Sequence, residues 1–302
     1  MRIPTFEKTT MLTPTPDERL TANPAVVFSL FFLVTLISQT ARSGIFDVIT
    51  ALFAEKMNYP LALLIELFAT LSTVTAVLLF CLLVERRPLH SLGFIRKGAV
   101  SEYLVGLAGG IGMFGGAVLL CVATGTATIV GSFSDFSPGM LGMFFLAFVI
   151  QGMSEEMLCR SYLMVSLSRG WPLWVCAVLN ALLFSLLHLA NPGISVIALI
   201  NIFLFGLFAS FLTLRRGSIW MIGALHSMWN FAQGNLFGIP VSGISGLPSP
   251  LTTTLNPGTL PELINGGAFG LEGGLAVTVV LAISCLIVLF VPTKKSEIAE
   301  NT

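Results

Sequence analysis

Apolar residues fill this chain in long blocks, and a helix needs about 20 of them to cross the hydrocarbon of a bilayer. Eight blocks qualify, near residues 25–41, 60–83, 103–124, 138–160, 172–190, 194–214, 218–236 and 272–292. They predict an all-α fold, a polytopic transmembrane helical bundle of about eight transmembrane helices. The first block is short, so residues 45–55 are either its continuation or a separate interfacial helix. Nothing breaks the fourth before Gly170 and Pro172, so its helix can extend to about 168.

Composition agrees with the pattern. Hydrophobic residues make up 55% of the 302 and charged residues 10%, with a mean hydropathy of +0.92, against roughly 25% charged residues in an average soluble domain. The balance of 15 basic and 15 acidic side chains gives no reason to expect nucleic acid as a partner. Cys81, Cys121, Cys159, Cys176 and Cys285 lie in or beside apolar blocks without CxxC spacing, and read as small packing residues.

Charge also predicts orientation. All Lys and Arg except Arg42, Lys56 and Arg160 precede block one or follow an even-numbered block, so both termini are expected in the cytoplasm. The divisions that follow are a soluble cytoplasmic tail (1–24), N-terminal transmembrane helices with a basic cytoplasmic loop (25–137), a core (138–236), a non-cytoplasmic loop (237–270), and a last transmembrane helix with a short cytoplasmic tail (271–302). The 237–270 stretch is rich in Pro, Gly, Ser and Thr and lacks Lys and Arg. A plain exposed loop is the expectation, with a cover over the outer mouth of the bundle as the other reading.

Ionisable side chains inside hydrocarbon are costly unless they pair or line a wet cavity. Three such sets occur on neighbouring blocks: Glu155, Glu156 and Arg160; His188; and His226 with Asn230. At 1.5 Å per residue, Glu155 lies about 20 Å above the turn near 169, His188 about 25 Å above it, and His226 about 15 Å above Arg216. With ordinary tilts these depths overlap. Glu156 and Arg160 share a helix face at i, i+4, as do His226 and Asn230, while Glu155 is rotated by about 100° from Glu156. Asn180, Phe184 and His188 form one stripe, Phe184 beside the imidazole and Asn180 extending the polar network. A structural ion pair suffices for Glu156–Arg160; two further ionisable types, Glu155 with His188 and His226, exceed what one pair needs. Glu66 reads as a solvated or packing residue, and His90 as incidental.

Glu155-Glu156-x-x-x-Arg160, Phe184-x-x-x-His188 and His226-x-x-x-Asn230 resemble, in order and separation, the three motifs of the CAAX-protease and bacteriocin-processing (CPBP, or Abi) family of intramembrane proteases. Arg87-Pro-Leu-His-Ser-Leu-Gly-Phe94 is also similar to the loop ahead of the core in bacterial members. The resemblance implies that Glu155 is a general base, that His188 polarises the attacking water or shares its proton, and that His226 and Asn230 donate to the oxyanion. It further implies that Glu156–Arg160 holds the helix and that the partner is a membrane-associated protein or peptide. The family is commonly labelled metalloprotease. A Zn2+ held by Glu155, His188 and His226 therefore stands beside metal-independent water activation, although the chain lacks HExxH. The chain's size and compact loops suggest a bacterial inner membrane. A non-catalytic scaffold or bacteriocin-immunity protein is the alternative from another class, and a proton-coupled transporter a third.

Overall fold

The computed structural model describes residues 6, 9–19, 21–131 and 137–291. Arg2, Lys8, Lys294 and Lys295, which entered the charge distribution, lie outside the described residues.

Helices occupy all eight blocks. Helix α1 (Pro24–Leu52) starts where the Asn23 side chain accepts from Ala25 N and Pro24 sets the first turn. It runs 29 residues, so residues 45–52 continue it, and a separate 3-10 turn follows at Ala54–Lys56. Helix α2 (Tyr59–Val84) is capped by Asn58 and is interrupted at Thr70, whose hydroxyl donates back to Leu67 O. Then come α3 (Ala99–Ala123), α4 (Pro138–Leu167), α5 (Leu173–Leu186), α6 (Val196–Arg216) and α7 (Trp220–Phe231), the last prolonged by a π-turn over Ala232–Leu236. A short α8 (Thr259–Asn265) precedes α9 (Leu275–Phe290).

Among the described residues five helices, α1 to α4 and α6, are long and apolar enough to cross a membrane, while α5 and α9 are shorter apolar helices. Eight full crossings are therefore more than the helix lengths establish. The fold is all-α with several long apolar helices, as a polytopic membrane bundle requires. Phe32, Leu36, Leu83, Val100, Leu104 and Leu119 stand exposed on its flanks, a surface suited to lipid tails. All five cysteines are free and buried.

Helix α7 packs against both α3 and α4. Close approach depends on missing side chains. A Cβ on Gly110 of α3 would lie 2.4 Å from Leu225 O of α7, and one on Gly152 of α4 would lie 2.7 Å from Ser227 N of α7. These glycines bring the helix bearing Glu155 and Glu156 against the helix bearing His226 and Asn230.

The two ends differ from expectation. At the basic end the segment before α1 is docked, not a free tail: Met11 and Leu12 are buried, Arg169 donates to Leu12 O and to Glu18, and Arg19 N donates to Glu85 O. Arg87 is no solvated loop charge either. Its buried guanidinium donates to Ser161 O at 2.7 Å and Ser91 O at 2.9 Å, and pairs with Glu85 at 3.3 Å. Burial pushes the Glu85 carboxyl up from its ordinary value, and Arg87 beside it pulls in the opposite direction.

At the opposite end the 237–270 connection is not a plain exposed loop. Its β2 (Leu251–Leu255) pairs antiparallel with β1 (Ala127–Gly131), Ala127 opposite Leu255. Val241, Ile244 and Leu247 line the central cavity, and Val241 and Ile244 exchange backbone hydrogen bonds. Its polar composition had masked these few apolar anchors.

Candidate active site

Seven helices, α1, α2, α4 to α7 and α9, line a cavity of about 320 Å³. Gln151 and Glu155 enter from α4, Phe184 and His188 from α5 and the turn beyond it, Phe205 from α6, and His226, Trp229 and Asn230 from α7. The connection 237–270 closes part of its perimeter, and Arg42 and Glu66, paired at 2.7 Å, stand at another part. Glu66 thus has a partner and faces the cavity, beyond the isolated packing or solvated role expected of it.

Glu155 and Glu156 diverge as their 100° offset requires. Glu156 is fully buried, and one oxygen, Oε1, receives two donors: Arg160 Nη1 at 3.1 Å and His226 Nδ1 at 2.8 Å. Arg160 also donates to Gly206 O at 3.2 Å and lies 4.6 Å from the centre of the Phe184 ring. The i, i+4 pair read from the sequence is present, and in addition it carries His226. Because a carboxylate only accepts, His226 holds its Nδ1 proton against Glu156, and the free edge of the imidazole is Nε2. That nitrogen lies 3.7 Å from Glu155 Oε2. Glu155, with 31% of its side chain accessible, is the carboxylate that faces the cavity.

His226 is wedged by aromatic rings, with Phe205 at 4.8 Å and Phe184 at 6.1 Å, both edge-on. These contacts fix the plane of the imidazole. One turn along α7, Asn230 Nδ2 donates to Gln151 Oε1 at 2.9 Å, and Gln151 Nε2 donates to Glu155 Oε1 at 2.6 Å. Gln151 was not singled out from the sequence, yet the signal was available: a polar residue in an apolar block, four positions before Glu155.

His188 is displaced from its expected setting. Helix α5 ends at Leu186, and His188 belongs to the following turn. Its Nδ1–H donates to Phe184 O at 2.7 Å, satisfying one of the carbonyls that a helix end leaves open and leaving Nε2 as an acceptor. The Phe184 ring centre lies 4.8 Å from the imidazole, as the stripe predicted. Asn180 lies deeper, where its amide donates to Cys159 O and its Oδ1 accepts from Ser210 at 3.5 Å. It supports the π-turn Met157–Met164 of α4 and does not reach the cavity.

Among the described residues no three His, Cys, Asp or Glu side chains converge closely enough to hold an ion. The alternative zinc set of Glu155, His188 and His226 is not assembled. The residues do not fit a metal in this arrangement, and no step below passes through one.

The sequence reasoning also missed Glu272, which precedes α9. It accepts from Ser242 N and Oγ, both at 2.8 Å, and from Trp229 Nε1 and Gln233 Nε2, both at 3.3 Å. It therefore ties the 237–270 connection to the helix carrying His226.

No curated protein matches the chain. Residues 137–232 match the family model described as type II CAAX prenyl endopeptidase Rce1-like. The match begins at the cap of α4 and ends just past α7, so it covers the stretch that supplies every residue of the Gln151–Glu155–Glu156–His226–Asn230 constellation.

Proposed function

We propose that the chain is an intramembrane endopeptidase that hydrolyses a peptide bond of a membrane-associated protein or peptide with a water activated by Glu155. The observation that carries this reading is the 3.7 Å approach of Glu155 Oε2 to His226 Nε2 within one cavity that also receives His188 and Asn230. A carboxylate, two imidazole edges and an amide around one cavity provide a base and hydrogen-bond donors for acyl transfer.

In the proposed sequence a water lies between Glu155 Oε2 and His188 Nε2. Glu155 removes one proton, and the oxygen attacks the substrate carbonyl carbon as the carbonyl π bond opens onto its oxygen. His226, as imidazolium, donates from Nε2 to that oxyanion while its Nδ1–H remains on Glu156. Asn230 supplies a second donor from Nδ2. Collapse of the tetrahedral species breaks the C–N bond, and the proton held by Glu155 passes to the departing amine. Glu156, anchored by Arg160, serves as counterion to His226 as well as helix support. This modifies the role expected from the sequence, because neutral His226 with its proton on Nδ1 has no hydrogen to donate from Nε2.

The test is a comparison of new protein termini in membranes carrying wild type and Glu155→Ala, followed by cleavage of a peptide that spans the mapped site. Termini that depend on wild type and vanish in Glu155→Ala and His188→Ala, with both variants folded and inserted, are expected. Undiminished cleavage by Glu155→Ala would remove the central assignment.

A further inference from the structure

Gln151 stands one helical turn before Glu155 and bridges α4 to α7. Its two ends meet partners of different kind, a carboxylate oxygen at 2.6 Å and the Asn230 amide at 2.9 Å. An ionised carboxylate can only accept, so Gln151 must turn its nitrogen to Glu155. Its carbonyl oxygen is then left for Asn230, and a carbonyl also only accepts, so Asn230 must meet it with nitrogen. The acceptor character of Glu155 is in this way passed across two amides and decides which end of Asn230 is held. An unconstrained Asn230 amide is free to turn its oxygen to the cavity, where it repels an oxyanion. Gln151 lines the cavity and is partly accessible, so its bonds are not forced by burial of an otherwise unsatisfied amide.

Building on the proteolytic reading above, we infer that Gln151 is a positioning residue for peptide hydrolysis, which orients the Asn230 amide as an oxyanion donor and leaves Glu155 Oε2 as the oxygen that takes the proton. Nδ2 of Asn230 carries a second hydrogen, and this is the one presented to the substrate. Oε1 of Glu155 is occupied by Gln151, whereas Oε2 faces His226. No bond is made or broken at Gln151 itself.

The experiment uses Gln151→Met, which preserves length and removes both hydrogen bonds. The expected result is a fall in kcat of about 10–100-fold with KM changed less than about threefold, below the cost of deleting an oxyanion donor outright. In an Asn230→Ala background there is no amide left to orient, so the combined loss should fall short of the product of the two single losses by at least about fivefold. Losses that multiply, or a change confined to KM, overturn the inference.

A second measurement needs no turnover. In protein labelled with 15N-asparagine in micelles, the Asn230 side-chain resonance is identified by its disappearance in Asn230→Ala, and it should shift in Gln151→Met. An unmoved resonance overturns the relay. A moved resonance in a chain whose wild type cleaves nothing leaves the relay standing and refutes the proteolytic reading instead. Should Gln151→Met fail to fold, Gln151→Asn, one methylene too short to bridge both partners, is read in the same way.

Discussion

Arg160 gives the sharpest test of how the buried charges are arranged. In Arg160→Met the side chain keeps similar length and apolar bulk but removes the guanidinium from a fully buried pair with Glu156. Glu156 Oε1 then retains only His226, and Oε2 has no hydrogen-bond partner among the described residues. Breaking one side of a buried ion pair costs about 3–5 kcal/mol, because the remaining carboxylate stays desolvated, here with one donor, His226, in place of two. The cation–π contact with Phe184 adds about 1–2 kcal/mol to that loss. The double variant Glu156→Gln, Arg160→Met removes both charges, so most of the loss should return, leaving a deficit of about 2 kcal/mol or less. Reversible unfolding in mixed micelles measures all three proteins, and a loss of about 4 kcal/mol is a shift of nearly a thousandfold in the folding equilibrium. The reasoning is refuted if Arg160→Met stays within about 1 kcal/mol of wild type, or if the double variant is no more stable than the single one.

Three other perturbations probe separate parts of the fold. Gly152→Ala places a Cβ 2.7 Å from Ser227 N; α4 and α7 must part by up to about 1 Å, which should reduce kcat/KM by about 10–100-fold in a peptide-cleavage assay, and unchanged kinetics would show that this contact does not set the site. Glu272→Ala removes the acceptor for Ser242, Trp229 and Gln233, so limited proteolysis should cut within 241–250 faster than in wild type, and equal rates would count against an anchoring role. Burial raises the Glu85 carboxyl above its ordinary 4.5, so the folded state holds more protons than the unfolded state between the two values. The stability this confers is full below about 4.5 and is lost as pH rises through the raised value. Glu85→Gln should therefore flatten that decline in denaturation measured across pH, whereas a constant difference from wild type would contradict it.

The parts of the site that were legible in sequence are those governed by a single helix. Glu156 meets Arg160 across one turn, and His226 and Asn230 leave α7 one turn apart, as the 3.6-residue period places them; His188 stays beside Phe184 although the helix has ended at Leu186. Less visible were relations across helices. Glu156 was expected to pair with Arg160 alone, and the second donor on the same oxygen comes from a residue 70 positions away. Arg87 was placed only in a basic cytoplasmic loop, and its burial depends on Ser161 O and Ser91 O being within its reach. The 237–270 segment looked like a plain loop because Pro, Gly, Ser and Thr dominate it, although a few apolar contacts and one carboxylate are sufficient to fold it over the cavity.

The sequence by itself determined an all-α chain of long apolar helices, the positions of those blocks, and the presence of ionisable groups too costly to leave alone in hydrocarbon. Local periodicity and the price of burying charge are properties of composition and spacing, and both can be read without coordinates. Only the tertiary structure decided which polar edges meet. The glycine contacts bring α3 and α4 onto α7, so that His226 takes Glu156 with Nδ1 and turns Nε2 to Glu155, while Gln151 joins Glu155 to Asn230. Helix phase sets the face from which a side chain leaves, but the opposing face depends on how closely two backbones can approach.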